Sequence, residues 1–89
     1  MNNNKVTVEI FNVKYPLRYT KDSDIQDIQT AAKLVDEKMR AIAKQNQYLT
    51  PDRIAVLTAL YLAEEFISLK KDYDEFWNIL EENRSNTNK

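Results

Sequence analysis

Val6-Thr7-Val8-Glu9-Ile10 alternates apolar and polar residues with period 2, and β-branched side chains dominate it. The pattern predicts a half-buried strand, with Val6, Val8 and Ile10 on one face and Thr7 and Glu9 on the other. Tyr15, Leu17 and Tyr19 repeat the alternation against Lys14, Pro16 and Arg18, so a β-hairpin is expected over about residues 5–20. Asn12-Val13 should turn the chain, because Asn tolerates left-handed backbone. Val13 is a poor turn residue, and a longer or bulged hairpin is therefore expected. Pro16 has no N–H to give to a ladder, so the far side of the second strand should be an edge there.

Beyond Lys21-Asp22-Ser23-Asp24 the period changes. Ser23 followed three residues later by Gln26 reads as a capping box, with Asp24 and Asp27 in the first turn, where the helix dipole favours anions. Ile25, Ile28, Ala32, Val35, Met39 and Ile42 then recur at alternating steps of 3 and 4, an apolar stripe that Ala31 and Leu34 widen. A first helix is expected over about residues 24–45, and with the hairpin it makes a head of about residues 1–50. After Asn46-Gln47-Tyr48-Leu49 comes the clearest punctuation in the chain, Thr50-Pro51. Thr suits the N-cap, and Pro suits the first helical position, where its missing N–H costs nothing. Nothing stops the second helix before the polar residues Asn83 to Lys89. It is expected over about residues 51–83, on the order of 45 Å long, with residues 84–89 a frayed tail.

This second helix changes character along its length. Ile54 to Ala63 is apolar nearly all round, which predicts burial on most sides. Overlapping it, Ala59, Leu62, Phe66, Leu69, Tyr73, Phe76 and Leu80 are spaced alternately by 3 and 4, a seam of coiled-coil type. Glu64, Glu65, Lys70, Lys71, Asp72, Asp74 and Glu75 fill other positions. Leaving Phe66, Leu69, Phe76 and Leu80 in water would forgo on the order of 1.5–3 kcal/mol each. The first helix is shorter and must also cover the hairpin, and no Pro or Gly breaks the second helix to fold it back. The seam therefore calls for a second copy or a partner helix. The fold class expected is α+β: an N-terminal β-hairpin plus helix forming a small head, followed by a long C-terminal helix forming a coiled coil in an oligomer.

Composition narrows the chemistry. The 89 residues include no Cys, His or Gly, and 13 Lys+Arg against 14 Asp+Glu leave a net charge of −1. Without Cys there is no disulfide framework and no thiolate chemistry. Without His and Cys the usual zinc and copper ligands are missing, as is the commonest general base near neutral pH. Without Gly neither a P-loop nor a dinucleotide fingerprint can be built. A near-neutral chain is also a poor binder of phosphate backbones. Met1 to Lys5 has no apolar targeting segment, and the apolar run Ile54 to Ala63 falls far short of the roughly 20 residues a membrane span needs. The expectation is a non-enzymatic cytosolic interaction protein with no cofactor, no metal, no nucleic acid, no membrane and no small-molecule substrate.

Taken in order, Val6 to Phe11 followed by Asn12, then Val35-Asp36-Glu37-Lys38-Met39-Arg40, Tyr48-Leu49 and Ile54-Ala55-Val56-Leu57-Thr58-Ala59-Leu60 resemble the ZapA family of bacterial cell-division proteins, in its short, Firmicute-like members. The resemblance covers about residues 5–75 and is carried by the ordered set, no single motif being specific. It implies a homodimer, which can pair into a homotetramer through the long helices. It also implies binding to the tubulin-like division protein FtsZ, cross-linking and bundling of its protofilaments, and a place in the cytoplasm at the mid-cell Z ring. Two positions depart from the family pattern: Asn12 stands where Gly is common, and Tyr61 where Asn is common. Family-like contact surfaces lie on the head, and there this chain offers Lys14, Arg18, Lys38, Arg40, Lys44, Asp52 and Arg53 as candidate FtsZ-contact residues. Lys14 and Arg18 are carried by charge character only, and for any one of the seven a solvated charge on an exposed face is the commoner reading; the expectation attaches to the surface and not to a particular residue.

Three other readings compete. The seam alone would suit a generic coiled-coil dimerisation or adaptor protein. A strand and two helices would suit a ribbon-helix-helix DNA-binding dimer, but that reader needs basic or amide side chains on its strand, and Thr7 and Glu9 point outward here. A small helical enzyme would need charged groups converging inside the bundle. The pairs Asp36/Glu37, Glu64/Glu65 and Glu81/Glu82 are adjacent in sequence and splay across a helix instead.

Overall fold

A computed structural model of the chain describes residues 4–21 and 23–87. Strands β1 (Lys5–Ile10) and β2 (Val13–Arg18) are followed by helices α1 (Ser23–Gln45) and α2 (Pro51–Thr87). The chain thus adopts the expected α+β order of hairpin, helix and long C-terminal helix.

The strands pair antiparallel, with Val6 opposite Leu17, Val8 opposite Tyr15 and Ile10 opposite Val13 on one face. Lys5 and Arg18, Thr7 and Pro16, and Glu9 and Lys14 share the other. Tyr19 N–H donates to the Asn4 carbonyl at 3.0 Å, which fixes the parity of the ladder. Pro16 then falls in a pair that exchanges no backbone bonds, so its missing N–H faces the outer edge and costs the hairpin nothing.

The turn differs from expectation. It is a tight two-residue connection, Phe11-Asn12, with Val13 already in β2 and no bulge. Phe11 and Asn12 have φ of 51° and 69°, the pair of positive values that a type I′ hairpin turn requires. Asn accepts this backbone readily; a bulky residue such as Phe does so at about 1–2 kcal/mol. The Phe11 ring offsets that cost by packing against the core.

The core of this first unit, which ends at Thr58, is Met39, Ile42 and Ile54, with Ile10, Phe11, Val35, Ala43, Leu49 and Leu57 packed on it. Val6, Val8 and Ala32 are also buried, whereas β2 is exposed along its whole length. On α1 the predicted stripe turns inward at Ala32, Met39 and Ile42, but Leu34 is 55% exposed and lies outside it. At the entrance to α1 the Asp24 carboxylate accepts bonds from the Thr20 hydroxyl at 3.0 Å and the Lys21 N–H at 3.2 Å. At its exit, with no Gly available, the Asn46 side-chain amide donates to the Ile42 carbonyl at 3.1 Å and so satisfies an orphan of the last turn. The Ser23 side chain of the expected capping box, Asp22, and Asn88 and Lys89 of the expected tail lie outside the described residues.

The second unit begins at Ala59 and comprises the rest of α2. The helix continues through Thr87, so residues 84–87 are helical where polar composition suggests fraying. The all-round burial expected from Ile54 to Ala63 is met only in part. Ile54 and Thr58 are buried, yet Val56 and Leu60 stay 60% and 57% exposed, because nothing in a single chain covers those sides. Thr58 tolerates burial because its hydroxyl donates to the Ile54 carbonyl at 2.8 Å. No helix among the described residues is long and apolar enough to cross a membrane.

Candidate functional site

Two surfaces stand out, one in each unit. On the head, the hairpin turn is fastened to α1 by Asp36 and Arg40. Asp36 Oδ1 accepts the Phe11 backbone N–H at 2.7 Å, and Oδ2 accepts Arg40 Nε at 3.0 Å. Arg40 Nη2 donates to Asn12 Oδ1 at 2.9 Å, and the guanidinium carbon lies 5.8 Å from the centre of the Phe11 ring. The Phe11 N–H is a turn amide outside the β-ladder, so the carboxylate satisfies a group that otherwise needs water. That N–H, and after it the Arg40 guanidinium, hold the Asp36 carboxyl below the usual carboxylate range.

The other charged candidates fall into separate groups. Lys14 lies opposite Glu9 near the turn, and Arg18 lies opposite Lys5 at the open end of the hairpin. Two cations directly opposite one another are unfavourable, although Arg18 also shares a shallow concavity of about 340 Å³ with Asp24 and Asp27. Lys38 is partly buried on α1. Lys44, in the last turn of α1, and Asp52 and Arg53, in the first turn of α2, flank the connecting loop. The Asp52 carboxyl is held low, first by the Thr50 hydroxyl and then by backbone N–H groups at the start of α2. Arg40 therefore reaches the turn, with Lys14 two residues beyond it on β2; Lys44, Asp52 and Arg53 flank the loop; Arg18 sits at the far end of the hairpin. Charge alone does not pick out Tyr48, which is 99% exposed in that loop. On the inner side of the hairpin an open apolar groove of about 360 Å³ is lined by Val8, Ile10, Tyr15, Leu17, Val35, Met39 and Ala55.

In the second unit the seam residues Phe66, Leu69, Tyr73 and Phe76 are each more than half exposed, and Leu80 is 38% exposed. Ala59 is exposed and Leu62 partly buried. Trp77, off the seam spacing, joins this surface through edge-on ring contacts to Tyr73 at 6.0 Å and Phe76 at 6.3 Å. Among the described residues no group of three or more His, Cys, Asp or Glu is placed to hold a metal ion.

The family model described as "Cell division protein ZapA" matches residues 6–87. A curated relative of that description from Geobacillus sp. (strain WCH70) is 39% identical over 70 residues, covering 79% of this chain and 78% of its own. Another of the same description, from Oceanobacillus iheyensis, is 38% identical over 69 residues, covering 78% of each. Two solved structures share the fold. An "Unknown conserved bacterial protein from Pseudomonas aeruginosa PAO1" gives a TM-score of 0.72 at 28% identity, over 90% of this chain and 87% of that one. A "ZapA mutant dimer from Geobacillus stearothermophilus" gives 0.69 at 27% identity, over 91% and 92%.

Proposed function

The chain belongs to the cell division protein ZapA family, and on that premise we propose that it self-associates through α2 and binds FtsZ with its heads. In this reading it cross-links and bundles FtsZ protofilaments, stabilising the Z ring in the cytoplasm at mid-cell. The observation that carries the reading is the run Phe66, Leu69, Tyr73 and Phe76, large apolar side chains that the chain itself leaves uncovered. Contiguous exposed apolar surface of this kind marks an interaction site, and its 3-4 spacing suits another helix. The similarity to a protein solved as a dimer supports a second copy as that partner. Pairing into a tetramer would draw on the remaining exposed apolar positions, such as Val56, Leu60 and Ile67.

A bundler needs two like binding sites on one object, and symmetric association supplies them. Each head need hold FtsZ only weakly, because joining two heads makes the second contact nearly intramolecular. Among the candidate head charges, Lys14, Arg18, Lys38, Lys44, Asp52 and Arg53 are read as direct contacts. No catalytic step is required of any residue. The test is low-speed sedimentation of FtsZ filaments. The intact protein pellets them, and the Leu69→Lys/Phe76→Lys variant does not. Equal pelleting by both would sever bundling from the seam.

A further inference from the structure

We propose that Asp36 and Arg40 serve FtsZ binding as positioning residues: they clamp the hairpin turn onto α1, so that the outer face of the hairpin and the exposed side of α1 form one fixed surface. The inference rests on the FtsZ-binding reading above.

Four observations converge on it. The turn places Phe11 at φ 51°, a conformation that persists only where the surroundings over-determine it. Arg40 is committed in three directions at once, to Asp36, to Asn12 and over the Phe11 ring. A side chain so engaged is poorly placed to reach a partner as a mobile contact charge. Asn12 brings a side chain to the turn, and that side chain is the acceptor through which Arg40 grips it. Finally, apolar packing fixes the hairpin along one strand and the turn only: Val6 and Val8 are buried and Ile10 and Phe11 pack on the core, while all of β2 is exposed. A lone two-stranded hairpin is marginal in water, and a surface ordered before binding loses less freedom on binding. An exposed Asp36–Arg40 pair four residues apart on a helix would ordinarily count for little. What distinguishes this pair is the 2.7 Å bond from Asp36 to a backbone N–H 25 residues away in sequence.

The experiment compares the full chain with Asp36→Ala, Arg40→Ala, Arg40→Lys and the Asp36→Ala/Arg40→Ala double variant. Affinity is read from co-sedimentation with FtsZ, and clamping from hydrogen exchange of the Phe11 amide. All binding is measured where circular dichroism shows each variant folded. Each single variant should weaken binding by about fivefold to tenfold, the double variant no further, because the residues act as one unit. Arg40→Lys should behave as Arg40→Ala, since an ammonium lacks the planar fork that spans Asp36 and Asn12. Phe11 exchange should accelerate in all four. Asn12→Gly provides a route that does not alter α1: Gly favours the positive φ, yet binding should still fall. Full binding by Arg40→Lys would make Arg40 a contact charge and overturn the proposal. So would unchanged binding and Phe11 exchange in Asp36→Ala, or losses that multiply in the double variant. Failure of the unaltered chain to sediment with FtsZ would instead remove the binding reading itself, and this inference with it.

Discussion

Replacing Leu69 and Phe76 with Lys bears most directly on self-association. In the single chain these side chains keep 69% and 58% exposure. Full burial of such a side chain is worth about 1.5–3 kcal/mol, so covering the exposed fraction is worth about 1–2 kcal/mol at each position. A dimer holds two copies of each, so the two positions together contribute about 4–8 kcal/mol. At 1.4 kcal/mol per decade, losing them weakens the dissociation constant about 10³- to 10⁶-fold. The charge that each Lys would bring into the seam adds to the loss. The helix itself should survive, since Lys is a good helix former. Sedimentation equilibrium over a wide concentration range measures the change, with circular dichroism as the check on folding and Asp72→Lys, off the seam, as the control. A monomer at concentrations where the unaltered chain is paired is the expected outcome. A dissociation constant that moves by less than tenfold would refute the reasoning, because the exposed apolar area would then not be what holds the copies together.

Acid should release the hairpin turn. Asp36 is held below the usual carboxylate range by the Phe11 N–H and by Arg40, so its contribution to stability is fully present above about pH 4 and is lost as pH falls through its lowered value. Exchange at the Phe11 amide, corrected for its intrinsic pH dependence, should stay constant from neutral pH to about 4 and quicken below; protection that fades near pH 6 would assign it to another group. In the core, Ile54 is 3% exposed and packs with Met39 and Ile42, so Ile54→Ala should cost about 2–5 kcal/mol in urea unfolding at fixed protein concentration. A loss below about 1 kcal/mol would mean that the site collapses around the deletion or is not closed in solution.

The local features were readable in sequence because their causes are local. Thr50-Pro51 starts α2, with Ile54 N–H donating to the Thr50 carbonyl at 3.0 Å, as N-cap chemistry dictates. Val6, Val8 and Ile10 share a face because side chains alternate along a strand. Leu34 misleads because a residue one step off a stripe can fall on either side of its boundary, and only the packed partner decides which. The turn falls one residue earlier than local chemistry indicates, because Phe11 looks unfit for positive φ. Its fitness comes from a carboxylate and a guanidinium 25 and more residues away, which no local rule can weigh. Asp36 and Arg40 stand at i and i+4 and pair along the helix, but no spacing in the sequence shows their grip on the turn.

The sequence by itself determined the order of elements, the α+β class, the 3-4 seam and, through the ordered motifs, the family. Those follow from periodicity and from residue types whose preferences act within a few positions. The tertiary structure alone decided which apolar residues a single chain can cover. It closes over Met39, Ile42 and Ile54 but leaves Val56, Leu60 and the seam in water, because burial depends on what lies opposite and not on the side chain alone. It also placed Arg40, one of seven candidate contact charges by sequence, in the clamp on the hairpin turn, since a cation's role depends on which acceptors the fold brings within reach of it.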